Sequence, residues 1–229
     1  MNIDDRKNKL KSLSSNTWMS GLPPEALNEL FIAVRFRNYS ANQCLQTKGE
    51  LAGVLYGVLS GEVRISATTS FGEEIVFTRI HPGKWFGEIA ILDGGVRTHD
   101  AFTTIQSEIA ILPKESIIKI CDKHPKAYRA LVMLLCEHCR QAFAAVDDFL
   151  LFSPEQRLGK HIIAQLDSLE STRVMISQQE LGALIGISRQ STNKILKSWE
   201  NKGWIKRVYR GIEIIEYNSL RSLFLGFEV

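Results

Sequence analysis

Arg189, Gln190, Asn193 and Lys194 fall on one face of a short helical stretch, and their types suit the reading of base edges. Arginine can bond the O6/N7 pair of guanine bidentately and glutamine can bond adenine, while Ser188 or Thr192 beside them suits a phosphate or a thymine methyl. A second set lies in residues 83–101. There Gly87 exposes backbone N–H groups, Glu88 can accept from sugar hydroxyls, and Arg97 with Thr98 offers a charged fork and a hydroxyl to one phosphate. That set suits a cyclic nucleotide. The competing reading pairs Glu88 with Arg97 across the fold and leaves no ligand site.

The base-reading set needs a rigid carrier, and residues 177–201 supply one. Ser177 followed by Glu180 is a capping-box pattern that opens a helix, and Leu181, Leu184 and Ile185 give that helix a buried face. Gly182 lets a second helix approach, Gly186 supplies a permissive turn, and Ser188 caps the second helix, which runs to about Asn201 and buries Ile195, Leu196 and Trp199. This is a helix-turn-helix pattern. After it, residues 203–215 read as two strands around a glycine turn, a wing beside the second helix. From Ser177 to Gly211 there are seven basic residues (Arg189, Lys194, Lys197, Lys202, Lys206, Arg207, Arg210) against two acidic ones, a local charge of +5 in a chain of net +3. A plain helical hairpin with a solvated lysine face is the bland alternative. The wing and the local charge favour duplex DNA, with phosphate contacts from the hairpin.

Upstream, nine glycines crowd residues 49–95, and between and beyond them lie short apolar or alternating runs such as 54–59, 63–66, 74–78 and 101–105. Short β-rich runs separated by glycine turns predict an antiparallel sandwich or barrel over about 36–112. Pro23 and Pro24 open a helix before it, with Leu27, Leu30 and Phe31 on one face. From Pro125 to about Phe152 no glycine or further proline interrupts, which predicts one long helix. Leu131, Leu134, Leu135, His138, Ala142, Ala145, Phe149 and Phe152 form a stripe along it, to be buried on its own β domain or against the same helix of a second subunit. Ser153-Pro154 breaks the chain. The expected division is therefore 1–112, the N-terminal helices and β unit; 113–152, the connecting and dimerisation helix; and 153–229, the winged helix-turn-helix.

A chain of 229 residues, 45% hydrophobic and 23% charged, has the balance of a globular protein of one or two domains, which argues against disorder, collagen and coiled-coil rods. Its small net charge excludes a uniformly basic coat. Cys44, Cys121, Cys136 and Cys139 lack the spacing of a disulfide framework, and no leader or apolar span is evident, so a cytoplasmic protein with no membrane partner is expected. Cys136, His138 and Cys139 have too few convergent ligands for a metal and read as packing residues; no metal ligand is assigned, and no histidine stands out as a haem ligand. Without a nucleophile–base–orienter set or a glycine-rich loop with lysine, no catalytic residue is assigned and an enzyme is not expected.

The order of parts resembles the cyclic-AMP receptor protein and FNR (CRP/FNR) family of bacterial transcription regulators over nearly the whole chain. The marks are residues 59–63, Gly87-Glu88-Ile89-Ala90 followed by Arg97-Thr98, the long helix, and residues 187–196. The resemblance implies an α+β fold with a cyclic-nucleotide-binding-like β-roll (jelly roll), a long dimerisation helix and a C-terminal winged helix-turn-helix. It also implies a homodimer that regulates transcription on double-stranded DNA, with RNA polymerase as a further partner. By resemblance Arg189, Gln190 and Lys194 match base-reading and adjacent positions, and Ser177 and Gln179 match phosphate-contacting ones. Cyclic-AMP binders place hydroxyl side chains against adenine where this chain has Ala142 and Phe143, and His99-Asp100 brings an acid beside the anion site, so the effector is left open. No cysteine occurs in the first 35 residues, so no iron–sulfur cluster is expected. The alternative is a cyclic-nucleotide-binding-like module that acts on a protein partner without DNA.

Overall fold

Alternation and turn chemistry give residues 35–113 their strands, but what positions them is burial on two sides. The computed structural model describes residues 3–14, 17–72, 74–169, 171–209 and 211–225. The chain divides into two compact units, Met1–Arg140 and Gln141–Val229.

The first unit opens with α1 (Ile3–Lys9), α2 (Lys11–Ser14), α3 (Thr17–Ser20) and α4 (Pro24–Ala33). Of the N-terminal helices expected, only α4 was placed by its own residues, and Pro24 in its first turn fits the missing N–H at that position. The other three are too short to show a hydrophobic period, yet Leu10, Leu13, Trp18 and Met19 around them are almost wholly buried. Eight strands follow: β1 (Arg35–Tyr39), β2 (Cys44–Gln46), β3 (Val54–Ser60), β4 (Val63–Thr68), β5 (Glu74–Ile80), β6 (Trp85–Phe86), β7 (Asp100–Thr103) and β8 (Ser107–Pro113), with α5 (Ile89–Leu92) between β6 and β7. They form two antiparallel sheets of order β1-β8-β3-β6 and β2-β7-β4-β5.

β3 and β8 are buried on both faces, which is why they read as near-continuous apolar runs. Leu55, Ala110 and Leu112 face the helical layer, whereas Tyr56, Val58 and Ile109 join Val63 and Ala101 of the other sheet. α6 (Lys114–Lys123) and the first turns of α7 (Lys126–Leu151) complete the helical layer through Ile117, Ile120, Ala127, Ala130, Leu131 and Leu134. The division expected at residue 113 is therefore no boundary, because α6 and half of α7 share the core of the β unit. The break at Ser153 is real as a helix end, but the last turns of α7 belong with the C-terminal unit: Lys160 pairs with Asp148 at 2.5 Å, and Arg157 donates to the Phe149 carbonyl at 3.2 Å.

The second unit continues with α8 (Pro154–Leu169), β9 (Arg173–Val174), α9 (Gln178–Ile185), α10 (Arg189–Asn201), β10 (Ile205–Val208), β11 (Gly211–Ile214) and α11 (Tyr217–Ser222). Leu158, Ile162, Leu166, Leu181, Leu196, Trp199, Ile212 and Leu220 form its core. The wing has three strands, in the order β10-β11-β9. Val208 of β10 pairs with Gly211 of β11, and Arg210 between them lies outside the described residues. Gly211 is thus a strand residue and not the turn glycine expected; a Cβ there would stand 2.5 Å from the Val174 carbonyl oxygen of β9.

Candidate nucleic-acid interface and effector site

The helix-turn-helix is built by local bonds. Ser177 accepts the Glu180 N–H at 3.2 Å while the Glu180 carboxylate takes the Ser177 N–H at 3.0 Å, so two orphan donors at the start of α9 are satisfied reciprocally. Gly186 ends α9 in the left-handed region, and Ser188 caps α10 by accepting from Ser191 N at 3.1 Å. At Gly182 the two helices nearly touch: a Cβ would lie 2.6 Å from the Ile187 carbonyl oxygen and 2.7 Å from Thr192 Oγ1. Leu196 and Trp199 fasten α10 to the core, and the Trp199 indole donates to Glu155 at 2.7 Å.

With its inner face fixed, α10 presents Ser188, Arg189, Gln190, Asn193 and Lys194 on the surface, and Ser177 and Gln179 are exposed at the start of α9. The side chains of Arg189, Gln190 and Lys194 make no hydrogen bond or ion pair among the described residues. Thr192 is a correction. Expected on the DNA face, it is 0% exposed and its hydroxyl donates back to the Ser188 carbonyl at 3.1 Å, so it packs the helices together and meets no phosphate. Arg207 of the wing is also spoken for: it holds Glu200 at 2.6 Å and donates to Asn193 at 3.1 Å, which ties β10 to α10. That bond holds the Glu200 carboxyl below its ordinary range. A groove of about 400 Å³ opens among Ser177, Gln179, Arg189 and Arg207.

In the β unit, Gly87 has φ +95 and sits against the Arg97 guanidinium, where a Cβ would be 2.5 Å from Nη1. Arg97 is only 4% exposed; it donates to the Gly87 carbonyl at 2.9 Å and the Val54 carbonyl at 2.5 Å, and lies over the Tyr56 ring at 5.5 Å. Burial pushes the guanidinium below its ordinary value, against the pull of Tyr56, Glu88 and Glu50. Burial likewise drives the Tyr56 phenol up to about 12, so it stays a donor, to the Leu45 carbonyl at 2.6 Å.

The expected pairing of Glu88 with Arg97 does not form. Glu88, 2% exposed, is taken by His138 of α7, whose Nδ1 donates to Oε1 at 2.8 Å. Thr98 is exposed, and its hydroxyl partners His99 Nδ1 at 2.9 Å instead of the guanidinium. Asp100, the extra acid beside the site, is occupied by the Lys48 N–H at 2.7 Å. Gln46, which no sequence signal marked, is 7% exposed and reaches the same place.

His138 is a titrating tie between α7 and the β unit. Burial alone would lower its pKa, but the hydrogen bond and charge of Glu88, with Glu137, outweigh burial and the repulsion of Lys84, so it is raised above 6.5. The ionic part of the tie is accordingly full below about pH 6.5 and is lost as pH climbs through the raised folded value. Proton resonances of the imidazole, followed against pH, should show a titration that moves to lower pH in Glu88→Gln. An unchanged midpoint would mean that Glu88 does not hold the ring.

The stripe expected along α7 is split. Leu131 and Leu134 are buried in the β unit's own core, while Ala142, Ala145 and Phe149 are exposed. Another set, Phe143, Val146 and Leu150, is 70%, 52% and 74% exposed, and its steps of three and four continue back in sequence through Cys139, Cys136 and Val132. Of the cysteines, Cys121 is buried, Cys136 half-buried, and Cys44 and Cys139 exposed. Among the described residues no three of His, Cys, Asp and Glu converge as a metal set, and no helix is long and apolar enough to cross a membrane.

Residues 36–124 match the family model of the cyclic nucleotide-binding domain, and residues 148–223 match that of the Crp-like helix-turn-helix domain. The chain is 26% identical to the cyclic AMP receptor protein of Thermus thermophilus over 90% of its own length and 95% of the relative's. It is 24% identical to the CRP-like cAMP-activated global transcriptional regulator of Mycobacterium tuberculosis, with 87% and 92% covered. The fold is that of the c-di-GMP responsive global regulator CLP of Xanthomonas campestris, with TM-score 0.74 and 20% identity over 84% of this chain and 99% of that one.

Proposed function

Because the chain belongs to the CRP/FNR family of transcription regulators, and is a homodimeric, sequence-specific DNA-binding protein and not an enzyme, we propose that α10 enters the major groove and reads bases with Arg189, Gln190 and Lys194. In this reading Ser177 and Gln179 meet phosphates, and Ser188 and Asn193 hold the start of α10 and the wing in place. The observation that carries it is the division of α10 into a buried face and one with three unengaged polar side chains at its N-terminal end. The reading without DNA is set aside, since the helix-turn-helix match and the regulator relatives leave it no support.

The interface between subunits is the exposed apolar face of α7 at Phe143, Val146 and Leu150. RNA polymerase is the further partner of such a regulator, and the cytoplasm its place. The buried Arg97, with no carboxylate within ion-pair distance among the described residues, supports an anionic effector in the β unit. Two relatives bear names that refer to cyclic AMP, which supports a phosphate-bearing one.

Oligonucleotides selected from a random pool supply the cognate duplex, and fluorescence anisotropy then tests the base reader. Arg189→Ala should weaken cognate binding by about 1–3 kcal/mol and relax preference at one position, with little change on random duplex. Equal losses on both would assign Arg189 to phosphate contact instead.

A further inference from the structure

The Arg97 site has a second recognition group. Gln46 comes from β2, its Nε2 donates to the His99 carbonyl at 3.0 Å, and the residue is 7% exposed. A carbonyl accepts only from the NH2 end of an amide, so this bond fixes which way the side chain is turned and sends Oε1 the other way. Oε1 has no hydrogen-bond partner among the described residues. It points at Gly87: the site a Cβ would fill there lies 3.6 Å from Gln46 Oε1 and 2.5 Å from Arg97 Nη1. A buried acceptor without a donor and a buried guanidinium without a carboxylate therefore converge on the space that the missing side chain of Gly87 leaves.

One ligand group does not serve both. An anionic oxygen suits the guanidinium but is repelled by an amide oxygen, which needs an O–H or N–H. We propose that Gln46 determines the specificity of the Arg97 site, accepting from a hydroxyl beside the phosphoryl group, so that the effector is a hydroxyl-bearing phosphate ester. The inference rests on the reading of Arg97 as an anion site. Glu88 Oε1 is taken by His138, whereas Gln46 Oε1 has no hydrogen-bond partner among the described residues. The hydroxyl belongs either to a sugar carbon or to the phosphoryl group itself, and the two sources are separable by choice of probe.

The test is calorimetric titration of the full-length dimer with 3′,5′-cyclic AMP, its 2′-deoxy counterpart, 5′-AMP and inorganic phosphate. At least one hydroxyl-bearing ester should bind about five- to tenfold more tightly than the deoxy diester. Preference for cyclic AMP over the deoxy form, or for 5′-AMP without a matching preference for inorganic phosphate, puts the donor on the sugar, and preference for both 5′-AMP and inorganic phosphate over the two diesters puts it on the phosphoryl group. Gln46→Leu should erase that preference while retaining the weaker binding, and Gln46→Met, closer in length, repeats the test if the leucine variant melts early. Arg97→Ala should remove all binding. A hydroxyl preference that survives both Gln46 variants, or none in the wild type, overturns the role of Gln46 alone. Binding that survives Arg97→Ala, or no binding of any phosphate by the wild type, overturns the anion site beneath it.

Discussion

Replacing Phe143 and Val146 together with aspartate should turn the dimer into a monomer in sedimentation and lower affinity for a cognate duplex at least a hundredfold. Both side chains stand exposed on α7 at a helical step, with Leu150 one step further. An apolar side chain of this size gains about 1.5–3 kcal/mol when buried, and each position occurs once per subunit, so four such gains are forfeited. Two aspartates facing their symmetry mates would also bring like charges together in a desolvated seam, which costs several kcal/mol more. Winged helices of this kind gain affinity by occupying two half-sites at once, so a monomer retains little beyond non-specific phosphate contact. Far-UV dichroism should remain that of the wild type, because neither residue belongs to a core of the chain. A double variant that still sediments as a dimer would place the subunit interface elsewhere.

Gly182→Val should abolish DNA binding by a different route, by preventing α9 and α10 from closing. The new Cβ would meet the Ile187 carbonyl oxygen at 2.6 Å and Thr192 Oγ1 at 2.7 Å, one of them backbone that also accepts no displacement without loss of the Ile187 N–H bond to the Gly182 carbonyl at 2.9 Å. Relief requires the helices to part and expose Leu181 and Leu196, and the cost should reach about 3 kcal/mol or more in the unit that carries the DNA face. Denaturant titration followed by tryptophan fluorescence would detect it as an earlier transition of that unit. Gly186 is the control. It needs its left-handed φ of +72, but nothing lies within 4 Å of its Cβ position, so Gly186→Ala should cost only the conformational penalty of about 1–2 kcal/mol. If Gly182→Val were no worse than Gly186→Ala, the close approach of the two helices would be wrong.

The parts of the molecule held together within a few residues were legible before any coordinates. The Ser177–Glu180 box, the Gly186 terminus, the Ser188 cap and the uninterrupted α7 all rest on bonds between near neighbours in sequence, and spacing alone reveals these. So were the glycine-punctuated strands β3, β4, β5 and β7, whereas β8, an apolar run without flanking glycines, and β1 emerged only as ladder partners. The helices α1 to α3 escaped because their few apolar residues are organised by Trp85 and Leu55 of the β unit and not by a period of their own.

What the sequence by itself determined is the inventory: a helix-turn-helix with Arg189, Gln190 and Lys194 at the head of its second helix, and Glu88 and Arg97 in a β unit. The tertiary structure alone decided how each polar group is spent. Thr192 turned inward because Gly182 brought α9 against it; Arg207 was drawn to Glu200; Glu88 went to His138, fifty residues away; and Gln46 Oε1 was left without a donor among the described residues. The reason is that a buried polar atom is satisfied by whichever partner the packing delivers, and that partner is set by folding of distant segments against one another and not by residues nearby in the chain.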